Sequence, residues 1–133
     1  MSRDGDGVLL IGPPGSGKSD LVLRLLSRDF TLVADDRVDI DAGVASPPAA
    51  LAGLLEVRGL GIVRLPYTPS ARLALVVQLG PAAERLPSPT WDAGLGLPTI
   101  RLDPSVASAP ERVALALDCA LGRVRQVAGA FAA

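Results

Sequence analysis

The segment Gly12–Ser19 has the residue types and the spacing of a phosphate-binding loop. Its sequence, GPPGSGKS, matches the pattern G-x-x-x-x-G-K-[ST]. Glycines let successive backbone N–H groups turn toward an anion, and a following helix directs its positive N-terminal end at the same place. Lys18 can then reach the β and γ phosphates, while the Ser19 hydroxyl can bind Mg²⁺. The pattern predicts that ATP or GTP is bound by Gly12, Pro13, Pro14, Gly15, Ser16, Gly17, Lys18 and Ser19.

Two adjacent acids, Asp35 and Asp36, follow the apolar run Thr31–Ala34. We predict that this run is a buried strand, and parallel strands deliver their C-terminal ends to the ligand crevice of an α/β sheet. One acid could hold the water shell of Mg²⁺ and the other could accept a proton. Side chains alternate along a strand, so only one acid should face the nucleotide. The alternative is a turn before a hairpin, because Asp is a common turn residue.

Glu56 and Arg58 form a third candidate group, within the sequence LEVRGLG of Leu55–Gly61. They are two residues apart and would share a face of an extended strand. A carboxylate and a guanidinium on one face could bind a metal ion and a phosphate side by side. By periodicity alone, a surface pair beside a glycine bulge is the preferred interpretation.

Hydrophobic patterning predicts the elements that would position these residues. A helix over Asp20–Arg28 has one apolar face. A closing helix begins at a capping box, Ser108–Glu111, and its apolar stripe runs from Val113 to Val127. The predicted strands are Gly7–Ile11, Thr31–Ala34, Val57–Leu65, Leu73–Leu79 and Thr99–Leu102, with a hairpin over Val38–Val44, a short helix over Ala49–Leu55 and a loop over Gly80–Pro98. This order predicts an α/β fold, a P-loop nucleotide-binding domain with a mixed β-sheet and a C-terminal helix.

Length and composition narrow the class of protein. The 133 residues suit a single domain over residues 1–133. A net charge of −1 argues against a nucleic-acid partner, and no apolar run approaches the roughly 18 residues of a membrane span. The chain has no histidine and a single lysine, Lys18, so proton transfer would fall to other side chains. One cysteine, Cys119, cannot form an internal disulfide, so we expect a cytoplasmic protein with a buried thiol.

Three segments, in this order, resemble the catalytic domain of the HPr kinase/phosphorylase family. They are GPPGSGKSDLVLRL, LVADDRVDI and GLLEVRGLGIVRLP. The resemblance extends over roughly Gly7–Pro66, about half of the chain. An acidic pair so soon after the loop is unusual among P-loop enzymes, and the E-x-R-G-x-G block is close to a family signature.

The resemblance implies a serine kinase that uses ATP and Mg²⁺ and phosphorylates the phosphocarrier HPr of the sugar phosphotransferase system. It also implies a reverse reaction with inorganic phosphate, and assembly into hexamers. Ser19 and Glu56 would hold Mg²⁺, and Leu55–Arg64 would serve both directions. Asp36 would be the proton acceptor for the kinase step, and the candidate catalytic residues are Asp36, Lys18, Asp35 and Arg58.

Three departures from the family pattern bear on activity. We expect no N-terminal regulatory domain, as in short proteobacterial members. The histidine that precedes the P-loop is missing, and the late arginine-rich stretch linked to dephosphorylation has no match in Leu97–Pro104. These departures favour kinase over phosphorylase activity. A P-loop small-molecule kinase and a non-catalytic nucleotide-binding regulatory module remain the alternatives.

Overall fold

Nine strands and two helices are formed by the residues that the computed structural model describes, which are 1–81 and 84–132. These elements belong to two compact units. The first unit comprises Met1–Gly7 and Ser19–Leu73, and the second comprises Val8–Lys18 and the described part of Ala74–Ala133. The single domain that chain length suggests over residues 1–133 stays a prediction.

The first unit is built from short antiparallel pairs and one helix. β1 pairs with the start of β2, β3 pairs with β4, β4 pairs with the start of β7, and β5 pairs with β6 in a separate two-stranded sheet. The bounds are β1 (Ser2–Arg3), β2 (Asp6–Ile11), α1 (Lys18–Leu26), β3 (Asp39–Asp41), β4 (Val44–Ser46), β5 (Leu54–Val57), β6 (Gly61–Arg64) and β7 (Ala71–Leu79).

The core of the first unit forms where α1 presents its apolar face. Leu21, Val22 and Leu25 are buried on that face, as the helical spacing predicts. Leu32 and Leu55 are fully buried as well. Each fully buried aliphatic side chain contributes about 1.5–3 kcal/mol relative to an exposed one. Both predictions, the helix and its buried face, are confirmed.

The predicted hairpin at Val38–Val44 is confirmed as β3 and β4, with the register Ile40 opposite Ala45. The two residues between the strands, Ala42 and Gly43, have φ angles of 50° and 78°. Two successive left-handed residues make the type I′ turn that matches the twist of antiparallel strands.

Other predictions for this unit are wrong in part. Thr31–Ala34 is not a regular strand, because only Thr31 and Leu32 form isolated bridges, although Leu32 and Val33 are buried as expected. The single strand predicted over Val57–Leu65 is instead the end of β5, a tight turn at residues 58–60 and the strand β6, since Gly59 and Gly61 adopt positive φ angles where the chain reverses. Within Ala49–Leu55 only Ala49–Leu51 is helical, as a single 3₁₀ turn.

The second unit contains a mixed sheet and a helix. β7 pairs in parallel with β9 (Leu97–Leu102), and β9 pairs antiparallel with β8 (Thr90–Asp92). The predicted loop over Gly80–Pro98 therefore includes a strand, and its residues 82 and 83 lie outside the described residues. Helix α2 covers Ala109–Ala120 and buries Val113, Ala116 and Leu117.

Helix α2 differs from its prediction at both ends. Ser108 makes no capping hydrogen bond, and its hydroxyl instead accepts one from Arg112 Nε at 2.8 Å. The helix stops at Ala120 because Gly122 adopts a φ of 75° and its N–H bonds back to the Cys119 carbonyl. The expected apolar stripe therefore ends before Val127, which is exposed.

Cys119 is half-buried, so the expected buried thiol is only partly sequestered. Burial raises the pKa of this thiol, and the neighbouring Asp118 carboxylate raises it further.

The predicted α/β class with a mixed sheet and a C-terminal helix is confirmed. Among the described residues, no helix combines the length and the apolar character that crossing a bilayer requires.

The turn before β5 generates a stability prediction. Gly53 is buried with a φ of 76°, and a Cβ there would lie 2.8 Å from the Leu65 carbonyl oxygen. Gly59 has a similar φ of 82°, but a Cβ there would meet nothing within 4 Å. Both Ala variants carry the left-handed backbone cost of about 1–2 kcal/mol, and Gly53→Ala should lose roughly 1–3 kcal/mol more through overpacking.

Urea unfolding of Gly53→Ala and Gly59→Ala, each compared with the parent chain, measures this difference. Equal losses of unfolding free energy in the two variants would contradict the steric account of Gly53.

Candidate functional site

The glycine-rich loop lies between a strand and a helix, as the sequence predicts. β2 ends at Ile11, and α1 begins at Lys18. Within the loop, the Ser16 N–H donates to the Pro13 carbonyl at 3.0 Å and so closes a tight turn. Gly15 and Gly17 have φ angles of 79° and 91°, which a side chain would strain.

Close packing around the loop explains why two of its positions are occupied by glycine. A Cβ on Gly12 would contact Ser16 Oγ and would lie 3.2 Å from the Leu79 Cβ. A Cβ on Gly17 would lie 3.1 Å from Pro104 Cγ. Pro104 is buried beside the loop although 86 positions separate it from Lys18 in the sequence, and no signal in the sequence pointed to it.

One polar atom of this loop is left without a protein partner. The Ser16 hydroxyl oxygen is buried, and among the described residues no group forms a hydrogen bond with it. A buried hydroxyl without a partner is costly, so it needs a bound group or water to be satisfied. The loop leads directly into α1, and the first N–H groups of a helix have no intrahelical acceptor, so this segment is suited to phosphate oxygens.

A second group of candidate residues surrounds a cavity in the first unit. The cavity has a volume of about 150 Å³, and Asp35, Asp36 and Glu56 supply its three carboxylates. Arg37 and three aliphatic side chains, Leu51, Leu54 and Ile62, complete its walls. Three acids against one arginine make the cavity acidic.

Both acids of the pair line this cavity, and the expectation that only one of them faces the nucleotide stays a prediction. The alternation expected along a strand does not hold, because the backbone at Asp35 and Asp36 is irregular. Asp35 is half-buried, and its Oδ2 accepts a hydrogen bond from the Glu56 backbone N–H at 3.3 Å. This bond ties the start of the acidic pair to strand β5.

Glu56 and Arg58 do not share a strand face. Glu56 belongs to β5 and pairs directly with Ile62 of β6, while Arg58 lies in the turn that joins the two strands. Arg58 is exposed and does not line the acidic cavity. The shared strand face, which the sequence offered only for an extended Leu55–Gly61, is therefore not formed.

The oxygen donors of the first unit suit Mg²⁺ better than a softer metal. Ser19 and Glu56 are both exposed, and hydroxyl and carboxylate oxygens are ligands that Mg²⁺ accepts. Across residues 1–81 and 84–132, no three Asp, Glu, Cys or His side chains gather into a metal-binding cluster. Mg²⁺ usually keeps several waters and takes only one or two protein ligands beside phosphate oxygens, so this donor set fits it.

Two relatives of this chain by sequence have the same name, HPr kinase/phosphorylase. The chain is 47% identical over 66 residues to an HPr kinase/phosphorylase of Clostridium tetani. The aligned region covers 47% of this chain and 22% of the relative. It is 40% identical over 87 residues to an HPr kinase/phosphorylase of Geobacillus thermodenitrificans, covering 56% of this chain and 28% of the relative. The matched region thus spans about a quarter of these relatives' length.

A solved structure has the same fold. The HPr(Ser) kinase/phosphatase of Coxiella burnetii superposes with a TM-score of 0.69 at 22% identity, covering 91% of this chain and 87% of that one. Residues 2–80, more than half of the chain, match the HPr Serine kinase C-terminal domain. The chain therefore belongs to the HPr serine kinase C-terminal domain family.

Proposed function

We propose that this protein is an ATP- and Mg²⁺-dependent serine kinase that phosphorylates an HPr-type phosphocarrier. The observation that carries the proposal is the loop Gly12–Lys18, which has no room for a Cβ at Gly12 and Gly17 and whose Ser16 hydroxyl is buried without a partner among the described residues. The names of the relatives, HPr kinase/phosphorylase, support the substrate. The acidic cavity supplies carboxylates that can accept a proton.

The loop residues would bind the nucleotide. Backbone N–H groups of Gly12–Lys18 would donate to phosphate oxygens, and the Lys18 ammonium would lower the energy of the charge that develops on the γ phosphate. Ser19 and Glu56 would hold Mg²⁺, which when bound neutralises phosphate charge. Arg58, exposed on its turn, would add a further positive charge toward the phosphoryl group.

Asp36 is the better candidate for the base of the acidic pair. Asp35 is half-buried and already accepts the Glu56 N–H, so we assign it a positioning role, whereas Asp36 is exposed to an incoming hydroxyl. The serine hydroxyl proton passes to the Asp36 carboxylate as the serine oxygen bonds to the γ phosphorus. The bond between that phosphorus and the β–γ bridging oxygen breaks, and ADP leaves.

Three finer properties belong to the same proposal. The reverse reaction would use inorganic phosphate to remove the phosphoryl group from the carrier and form pyrophosphate, with Asp36 returning the proton. Assembly into a homo-oligomer, a hexamer by family resemblance, and a cytoplasmic location are proposed on that resemblance alone.

Phosphate transfer from γ-labelled ATP to a purified carrier, with Mg²⁺ present, tests the function directly. Label on a carrier serine is the expected result. Label on a small hydroxyl compound without carrier would favour a small-molecule kinase. Tight ATP binding without turnover on any acceptor would favour a regulatory nucleotide-binding module.

Lys18→Ala should abolish transfer and weaken ATP binding by at least tenfold, because loss of a charged phosphate contact costs roughly 1.5–3 kcal/mol. Arg72→Ala is the control, since it also removes one positive charge but does so at an exposed position of β7 in the first unit. Fluorescent ATP-analogue titration and the transfer assay measure both. Wild-type activity in Lys18→Ala would contradict the role of the loop.

Asp36→Asn should bind ATP normally and lose transfer by a factor of about 10²–10⁴, the usual contribution of a general base. Asp41→Asn, an exposed acid on β3 outside the cavity, is the control and should stay active. The phosphate-transfer rates of the two variants, each at saturating ATP and carrier, measure the difference. Equal rates for the two variants would remove Asp36 from the role of base.

Glu56→Gln should reduce the Mg²⁺ dependence of ATP binding, because it removes a carboxylate charge while its backbone N–H can still donate to Asp35. Glu84→Gln, an exposed acid in the second unit, should leave that dependence unchanged. Titration of ATP affinity against Mg²⁺ concentration measures the effect. An unaltered Mg²⁺ midpoint in Glu56→Gln would argue against its role as a ligand.

A further inference from the structure

We propose that Ile62 is a specificity-determining residue that contacts the polypeptide flanking the phospho-acceptor hydroxyl. This inference rests on the proposed kinase function and goes further by naming how the acceptor is held. Ile62 is 70% exposed, which is unusual for an isoleucine in a strand that forms part of a cavity wall.

The register of the β5–β6 hairpin explains why Ile62 stands where it does. Glu56 and Ile62 are direct cross-strand partners, so their side chains lie on the same face of the hairpin. The opposite face contains Leu55, which is fully buried. The packed face therefore anchors the hairpin, and the face with Glu56 and Ile62 is turned to the acidic cavity that Asp36 also lines.

The size of the cavity favours a side chain of a larger molecule over a free small molecule. Its volume of about 150 Å³ is well below the roughly 300–1,000 Å³ of pockets that enclose small ligands. One serine or threonine side chain with its adjacent backbone is a better match. The rest of such an acceptor would remain outside and cover the rim.

The rim has the chemistry of a protein-contacting surface. Ile62 exposes 70% of its surface at the rim, while Arg37, Arg58 and Arg64 are exposed as well. Arginine is enriched at protein interfaces, and the buried centre of an interface is more apolar than the rest of the protein surface. The occupant that fits is a polypeptide with an apolar residue beside its acceptor hydroxyl and acidic groups farther out.

Among the apolar side chains of this hairpin, Ile62 is the one that both lines the cavity and is exposed at its rim, whereas Leu60 is exposed without lining it. An apolar contact made by Ile62 would be buried when the acceptor binds, and burial of such a side chain is worth a factor of roughly ten or more in affinity. The contact is made with the acceptor, so ATP affinity should not depend on it.

The experiment compares Ile62→Ser, Ile62→Val and Leu60→Ser in the full chain. We expect Ile62→Ser to raise the KM for the carrier about tenfold, with the KM for ATP unchanged, and Ile62→Val to restore most of the loss. Leu60→Ser should change the carrier KM by less than about threefold. Thermal unfolding near that of the parent chain would verify that the exposed substitutions leave the fold intact.

A binding measurement separates this inference from the kinase assignment. The parent chain and the same variants are titrated with a carrier whose acceptor serine is replaced by alanine. If the parent chain binds this carrier but transfers no phosphate to the normal carrier, and Ile62→Ser weakens the binding, the result would support the inference and overturn the kinase proposal. Transfer by the parent with an unchanged carrier KM in Ile62→Ser would overturn the inference and leave the kinase proposal standing. No binding and no transfer would overturn both.

Discussion

The constraint on which the glycine-rich loop depends is the exclusion of side chains from its backbone. At Gly12 and Gly17 a single added carbon would contact Ser16, Leu79 or Pro104, and at Gly15 and Gly17 the chain turns through a left-handed conformation. Only glycine meets both conditions without strain. The strand before the loop and the helix after it can follow each other so closely because those positions carry no Cβ.

In the first unit, a hydrogen bond from a backbone N–H to a side-chain carboxylate fixes the position of the acidic pair. The Glu56 N–H donates to Asp35, which connects an irregular acidic segment to a regular hairpin. One face of that hairpin is anchored through the fully buried Leu55, so the other face presents Glu56 and Ile62 at a defined register. Carboxylates and an exposed aliphatic side chain therefore line one small cavity, a combination that suits a hydroxyl delivered by a larger molecule.

Local sequence patterns predicted those elements whose stabilisation is local. Strand β2, helix α1 and the β3–β4 hairpin have strong sequence signals, namely a continuous apolar run, helical periodicity and the Asp-Ala-Gly turn at Asp41–Gly43. Predictions of element boundaries were wrong where a glycine can either remain within an element or end it. Gly59 and Gly61 suggested a bulge within one strand, but they close a hairpin, and Gly122 ends α2 before its apolar stripe is complete. Ser108 looked like a cap, yet Arg112 takes its hydroxyl.

By itself the sequence determined the glycine-rich loop between a strand and a helix, the α/β class and the resemblance to a kinase family, because these depend on residue types at short and constant spacings. Only the tertiary structure decided that Asp35, Asp36 and Glu56 line one cavity, that Arg58 lies outside it, and that Pro104 packs on the loop. These contacts join segments that are about 20 or more positions apart in the chain. Within the first unit, the contacts between Asp35, Asp36 and Glu56 depend on the burial of Leu21, Leu32 and Leu55, and no local pattern encodes such long-range packing.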